Sequence, residues 1–377
     1  MIVGIDNITP GTSTSASSSL GGMRPYLADL LEGLPAILPS WQFKLFTPTW
    51  NEPFRARHPN LATVRVRSPR NRVGRVLFEQ AVLPAQIAIH NVDLWLGTCN
   101  YLPLFTAART VLLIQSHQFF TNPEAFTRGR GAWLRLITSR SVAKANLVGV
   151  QCESAGQTLR KYIPLAPEKL RVIFNRVPEM ATDFGFDIWS LLGVRCPYLV
   201  YISGFYPFKN HARLVEAFRR IKTRIPGLKL LLVGGGDRAN RFRNLDPDVM
   251  VTGRVPDAAI PALYRNALAS LFPSLEETFG LPVLEAMSVG CPVITSARSS
   301  MAELASDAAV LVDPCDPVSI ADGMARVIED PDLRKDLSRR GPLRAAAFTR
   351  ERTVEAVASA LREAATQAYP ALAYNTE

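Results

Sequence analysis

Short apolar runs alternating with segments of helical periodicity, in two successive series, constrain this chain more than any other feature. In the first series "MIVGID", "FKLFT", "DLWLGT", "TVLLIQS", "NLVGVQ" and "KLRVIFN" read as strands, and "MRPYLADLLEGL" repeats its apolar residues at helical spacing. Strands that are apolar throughout and separated by helices are buried on both faces, which is the mark of parallel β-α-β units. The pattern breaks at "PEMATDFGFDIWSLLGVRC" and restarts with "YLVYIS", "LKLLLVGG", "VMVTG", "ASLFPS", "CPVITS" and "AAVLVD". The fold class is therefore α/β, with two successive Rossmann-like, doubly wound domains. The expected division is an N-terminal domain over 1–178, a linker over 179–196, a second domain over 197–352 and a C-terminal helical segment over 353–377. That last helix carries its own apolar stripe and is expected to pack back towards the N-terminal domain. A chain of 377 residues has the length for two such domains. In doubly wound sheets the ligand sits at the carboxyl ends of the strands.

Composition narrows the function classes. No run of about 18 apolar residues and no charged region ahead of an apolar one is present, so neither a spanning helix nor a secretory leader is expected, and the expected location is the cytoplasm. The five cysteines are scattered without a C-x-x-C pair, and the four histidines are far apart, which argues against a disulfide framework or a zinc site. The net charge is +10. Residues 1–180 carry 20 Lys and Arg against 10 Asp and Glu, whereas 181–377 carry 23 of each, so all the excess lies in the first half. Such asymmetry points to an anionic partner.

The chemistry concentrates in "PSLEETFGLPVLEAMSVGCPVITS", residues 273–296. Gly280 and Pro282 forbid one helix through both Glu277 and Glu285. The better parse ends a strand near Ser274, leaves Glu277 in the strand-to-helix loop, makes Pro282 the first helical residue and puts Glu285 in the first turn. Amide groups of Thr278, Phe279, Gly280 and Leu281 and the helix start then offer partial positive charge to a diphosphate. Carboxylates beside such a cradle are suited to accepting hydrogen bonds from sugar or ribose hydroxyls.

With its two glutamates eight positions apart around a Phe-Gly-Leu-Pro turn, "SLEETFGLPVLEAMSVGCPVI" resembles the signature of retaining glycosyltransferases of family 4. The resemblance implies the GT-B fold, in which two Rossmann-like domains face across a cleft. It also implies that Glu277 contacts the donor sugar and Glu285 the ribose of the nucleotide. "YISGFYPFKNHARLVEAF" is similar to the opening of the family's nucleotide-binding domain, with Lys209 as the lysine beside the diphosphate. Many relatives carry an arginine where this chain has Gly204, and Arg213 and Arg254 are the candidates to replace it. "LKLLLVGGGD" resembles the next strand with its glycine exit from Gly234 to Gly236, and the backbone from Thr252 through Gly253 and Arg254 to Val255 would meet the base. The likeness is nearly continuous from about residue 145 to 350.

In the first half, "SLGGMRPYLADLL" is similar to the family's glycine loop, in which Gly21 and Gly22 would touch the donor phosphates. His117 follows a strand, and the resemblance places a histidine there, near the reacting sugar, with Gln115 and Ser116 as alternatives. Two basic stretches, "RVRSPRNRVGRVLF" and "TRGRGAWLRLITSRSVAKA", read either as solvated helix faces or as a docking surface for anionic lipid, the second with an exposed Trp133. Asp246-Pro247-Asp248 and Asp330-Pro331-Asp332 have the spacing of a metal-binding Asp-x-Asp, yet turn chemistry explains both, and no metal is expected.

The expected activity is a retaining, metal-independent hexosyltransferase with catalytic Lys209, Glu277 and His117 and no cofactor beyond its UDP-, GDP- or ADP-sugar donor. The C-terminal domain would bind that donor and the N-terminal domain the acceptor. The expected acceptor is a lipid-linked or surface-polysaccharide glycan, as in lipopolysaccharide biosynthesis, handled by a cytoplasmic protein peripheral to the inner face of the membrane. A non-catalytic sugar-nucleotide-binding module and a glycoside hydrolase using Glu277 and Glu285 are the alternatives. Nucleic acid is not an expected partner, because the arginines form no recognisable binding motif.

Overall fold

The computed structural model of the protein describes residues 1–8, 23–51, 57–180, 186–193 and 195–367. The chain divides into two units, one comprising Met1–Arg176 with Arg350–Glu377 and the other Val177–Thr349.

The first unit is built on seven parallel strands: β1 (Ile2–Asp6), β2 (Gln42–Pro48), β3 (Leu61–Val66), β4 (Leu94–Gly97), β5 (Arg109–Ile114), β6 (Leu147–Val150) and β7 (Leu170–Val172). Their order in the sheet is β3-β2-β1-β4-β5-β6-β7. Side chains alternate between two apolar layers, which is why these strands read as unbroken apolar runs. Val111 and Leu113 of β5 join Leu27, Leu30, Leu34, Val357 and Leu361 on one face. Leu112 and Ile114 join Phe78, Ile87, Trp95 and Leu159 on the other.

The last helix, Arg350–Thr366, completes the first of these layers. Its buried Val354, Val357 and Leu361 pack with the apolar face of the helix Met23–Ile37. Arg171 pairs with Glu363 at 2.9 Å through Nε, and Arg350 reaches Glu32 at 3.0 Å, so charged pairs rim the apolar contact.

The second unit has six parallel strands: β8 (Tyr198–Ile202), β9 (Lys229–Val233), β10 (Val249–Gly253), β11 (Ala269–Phe272), β12 (Val293–Ser296) and β13 (Val310–Val312), in the order β10-β9-β8-β11-β12-β13. The contact boundaries lie at 176/177 and 349/350, and the segment expected as a linker clusters with this unit. A local signal explains the difference: Asp187 Oδ1 accepts the amides of Trp189 and Ser190, and Gly193 ends the short helix Ile188–Leu192 at φ +70°. Trp189 then meets Tyr198 edge-on at 6.1 Å. The amide of Val177 donates to Phe348 O, so the chain enters and leaves this unit side by side.

Both Asp-Pro-Asp turns have structural work. Asp246 binds Lys222 and Arg219, and Asp248 binds Lys222 and Lys229. Asp330 caps the helix Pro331–Ala345 through the amides of Asp332 and Leu333. Trp133, expected on the surface, is instead half-buried and packs edge-on against Tyr101 at 5.2 Å, because the carboxyl-end loop of β4 rises to meet its helix, Arg128–Lys144.

Asp6 and Glu79 are among the carboxyls buried inside the first unit. Asp6, the last residue of β1, is pushed up to about 6 by burial. Glu79 is pushed up to about 8, by burial first and by the charge of Asp6 second. Arg75 Nε stands 3.9 Å from it. Between the ordinary glutamate value and about 8, the native state therefore holds protons that the unfolded chain releases, so stability falls as pH rises through that window. Thermal denaturation from about pH 5 to about pH 9 is expected to show this decline, and Glu79→Gln should flatten it. An equally steep decline in the variant would remove Glu79 as its source.

Candidate functional site

In the second unit the chain runs outward from β8 to β9 and β10, then returns to β11 on the opposite side of β8. The carboxyl ends of β8 and β11 thus flank the switch point of the sheet, where loops diverge and leave a crevice. The loop after β8 delivers Lys209, and the loop after β11 delivers Glu277. Their side chains form an ion pair, Nζ to Oε1 at 2.5 Å, with only 14% and 8% of each side chain exposed. The ammonium also lies 4.7 Å from the centre of the Phe272 ring.

The neighbouring residues hold this pair in place. Asn210 follows Lys209 in the left-handed region at φ +63°, which asparagine tolerates better than most residues. Its buried amide donates to Pro273 O at 3.0 Å and Pro314 O at 2.6 Å, tying the loop of Lys209 to the loops after β11 and β13. The hydroxyl of Tyr201 donates to Lys209 O at 2.8 Å and lies 3.3 Å from Ser274 Oγ. On the other side, Glu277 O accepts from Ser299 Oγ at 2.7 Å and Ser300 Oγ at 3.1 Å, and Ser299 Oγ also receives the Glu277 amide. His211, stacked on Phe205 with ring centres 4.3 Å apart, is held neutral by burial and then by the charge of Lys209, its value lowered to about 3. It lies 3.4 Å from Ser203 Oγ.

Gly280, at φ +100°, caps the helix Leu281–Ser288. This turn leaves the amides of Phe279, Gly280 and Leu281 without a backbone acceptor among the described residues. Thr278 and Phe279 themselves are buried. Glu285 lies one residue further along the helix than the first-turn position expected for it, because helix geometry begins at Leu281. Its carboxyl is pushed up to about 7, by burial first and by Asp257 second, and no hydrogen bond or cation meets it among the described residues. The two glutamates therefore keep different company. Glu277 belongs to Lys209 and the serines, Glu285 to the segment that follows β10.

Of the glycines at the strand exits, Gly234 is a steric necessity. Gly234 has φ +152°, and a Cβ there would stand 2.0 Å from Ser203 O, so only glycine lets the ends of β8 and β9 approach. Gly253 turns the chain at φ +77° after β10. Arg254, beyond it, is exposed and lays its side chain over Gly235. Gly204 leaves the end of β8 under the Tyr206 ring. Of the two arginines considered as replacements at this end, Arg213 is engaged with Asn210 Oδ1 at 3.1 Å. Asn210, Ser299 and Ser300 were not singled out from the sequence. The Lys-Asn pair was the one available signal, since asparagine is the residue type other than glycine most at ease with positive φ.

In the first unit, His117 lies buried beyond β5, ahead of the short helix Gln118–Thr121. The amides of Gln115 and Ser116 both donate to Asn100 Oδ1, and Gln115 Oε1 accepts from Gln151 at 2.6 Å. All three candidates thus sit at a carboxyl strand end. Gly21 and Gly22 lie outside the described residues.

The family described as glycosyl transferases group 1 matches residues 192–344. The chain is 30% identical over 274 residues to O-antigen chain mannosyltransferase B of Escherichia coli, a match covering 68% of this chain and 70% of that protein. It is also 30% identical over 183 residues to a D-inositol 3-phosphate glycosyltransferase of Acidothermus cellulolyticus, covering 44% of this chain and 41% of that one. Among solved structures, a sucrose-phosphate synthase from Thermosynechococcus elongatus superimposes with a TM-score of 0.74 at 22% identity, covering 96% and 98% of the two chains. That last likeness shows the fold, two Rossmann-like domains of the GT-B type. The long match to the mannosyltransferase, with the family's signature region covering the unit that holds Lys209, Glu277 and Glu285, shows that the chain belongs to the glycosyl transferases group 1 family.

Proposed function

We propose that the protein moves a hexose from a nucleotide diphosphate sugar to a hydroxyl of a lipid-linked or surface-polysaccharide glycan, with retention and without a divalent cation. The observation that carries this reading is the Lys209–Glu277 pair at the switch point of the second sheet. A diphosphate entering there competes with Glu277 for the ammonium. Once displaced, the carboxylate is an acceptor for hydroxyls of the donor sugar. The amides of Phe279, Gly280 and Leu281 add neutral donors for charge that grows on the diphosphate as the anomeric bond breaks. Glu285, half-buried and without a partner among the described residues, suits the ribose hydroxyls, and the backbone from Thr252 to Val255 the base.

Retention means that the new bond forms on the face the diphosphate leaves. The acceptor hydroxyl then lies beside the leaving phosphate oxygen, which can take its proton, so neither glutamate has to act as base. The mannosyltransferase relative, named for an O-antigen chain, supports a surface-polysaccharide acceptor. The basic first half supports work at the cytoplasmic face of a membrane. None of the helices described is long and apolar enough to cross one.

A thermal-shift panel of UDP-, GDP- and ADP-sugars should raise the melting temperature with one nucleotide and identify the donor. Lys209→Ala is expected to lower turnover roughly 10²- to 10³-fold. It also strands Glu277 without its cation, so the double variant Lys209→Ala/Glu277→Gln separates lost folding from lost catalysis. Wild-type rates in a folded Lys209→Ala protein would remove the lysine from the mechanism. Because the Glu285 carboxyl titrates near 7 and its charged form is the better hydroxyl acceptor, donor KM should fall as pH rises from about 6 to about 8. Glu285→Gln should raise KM and abolish that dependence.

A further inference from the structure

We infer that the outer face of the helix Arg72–Ile89, with Phe105 at its flank, is a docking surface for an anionic lipid bilayer. The helix is continuous through a π-helical turn at Phe78–Val82. Its inner side buries Phe78, Leu83 and Ile87 in the first unit. Its outer side exposes Val73 by 71%, Leu77 by 63%, Val82 by 44% and Ile89 by 68%, a row of apolar side chains open to solvent. Gln80 clamps the neighbouring loop to this helix, donating to Leu102 O at 3.1 Å and accepting from the Leu104 amide at 3.0 Å. The clamp brings up Phe105, which is 73% exposed. Between the helix and that loop opens a cavity of about 240 Å³ lined by Ile87, Val92 and Ala108 together with Asn91, Thr106 and Asp93, whose carboxylate accepts the Ile2 amide at 2.7 Å.

Charge selects the partner. Between Leu61 and Val92 the one acidic residue is Glu79, and it is buried. Arg67, Arg70 and Arg72 are exposed at the amino-terminal end of the helix. A bare apolar row would serve a second copy of the chain as well as a membrane. An apolar row flanked by arginines, on a helix whose one carboxylate is buried, matches lipid tails beneath an anionic headgroup layer. The other basic stretch is not the better candidate: its Trp133 packs on Tyr101 and its Arg135 donates to Phe119 O at 3.1 Å. There only Leu136, among the large apolar residues, is exposed.

The inference deepens the membrane-side reading above and rests on it for its purpose, but docking and donor binding are measured separately. Full-length protein is floated with vesicles of phosphatidylcholine alone and of phosphatidylcholine mixed with phosphatidylglycerol. Wild type should float with the anionic vesicles, poorly with the neutral ones, and be released by high salt. Val73→Asp/Leu77→Asp and Arg67→Ala/Arg70→Ala/Arg72→Ala should each lower the floated fraction about tenfold or more, while keeping the wild-type melting temperature and its shift by donor nucleotide. Unchanged flotation of either variant, or equal flotation with both vesicle types, overturns the inference. So does a wild-type dimer that Leu77→Asp splits, which would assign the face to a second copy. Loss of the nucleotide shift in wild type with flotation intact would instead sink the donor reading and leave the docking face standing.

Discussion

An ammonium and a carboxylate held together with little access to water, Lys209 against Glu277, set the terms for the second unit. Such a pair is expensive to desolvate and is a weak source of net stability, yet leaving either partner alone is worse. The surrounding loops are accordingly organised to keep both in register. Asn210 ties three loops together, Tyr201 holds the backbone of the lysine, and two serines hold the backbone of the glutamate. A polyanion able to take over the ammonium finds these contacts already made, so little ordering remains to oppose binding.

The switch points of the two sheets differ in their polar groups. In the second unit the loops beyond the strands present the Lys209–Glu277 pair and amides without a backbone acceptor. In the first, between β1 and β4, the strand ends present Asp6 and Asn7 alongside Thr98, whose hydroxyl donates to Asp6 O at 2.9 Å, with Glu79 held close by. A centre rich in carboxyl and amide oxygens suits hydroxyl groups, and a centre with cations and free N–H groups suits phosphate. The net positive charge of the chain nevertheless lies in the first half. The surplus arginines there are at the surface, in the stretch around Arg67 to Arg72, rather than at the strand ends.

Much of this was written in local pattern. Strands buried on both faces cannot alternate, so unbroken runs such as those of β5 and β9 gave away the parallel sheets. The Glu277 loop could be read because Gly280 and Pro282 together mark the start of a helix. What could not be read were contacts between segments far apart in sequence. The partnership of Asn210 with Pro314, or of Ser299 with Glu277, leaves no periodic trace. Trp133 looked exposed because its helix has arginines around it, and Tyr101, which covers it, lies more than thirty residues away in the sequence. The short helix Ile188–Leu192 spans too few residues to show a period, and only its caps, Asp187 and Gly193, mark it in the sequence.

The path of the chain has a consequence for how the molecule is made. The first unit begins at Met1, yet one of its apolar layers is completed by Val354, Val357 and Leu361. A ribosome therefore releases the whole of the second unit before the first can close its core. The inserted unit can reach its native state while the outer one waits with a sheet face uncovered, so strands made ahead of the second unit are finished after it, and their uncovered leucines are the surface that a chaperone would shield in the interval.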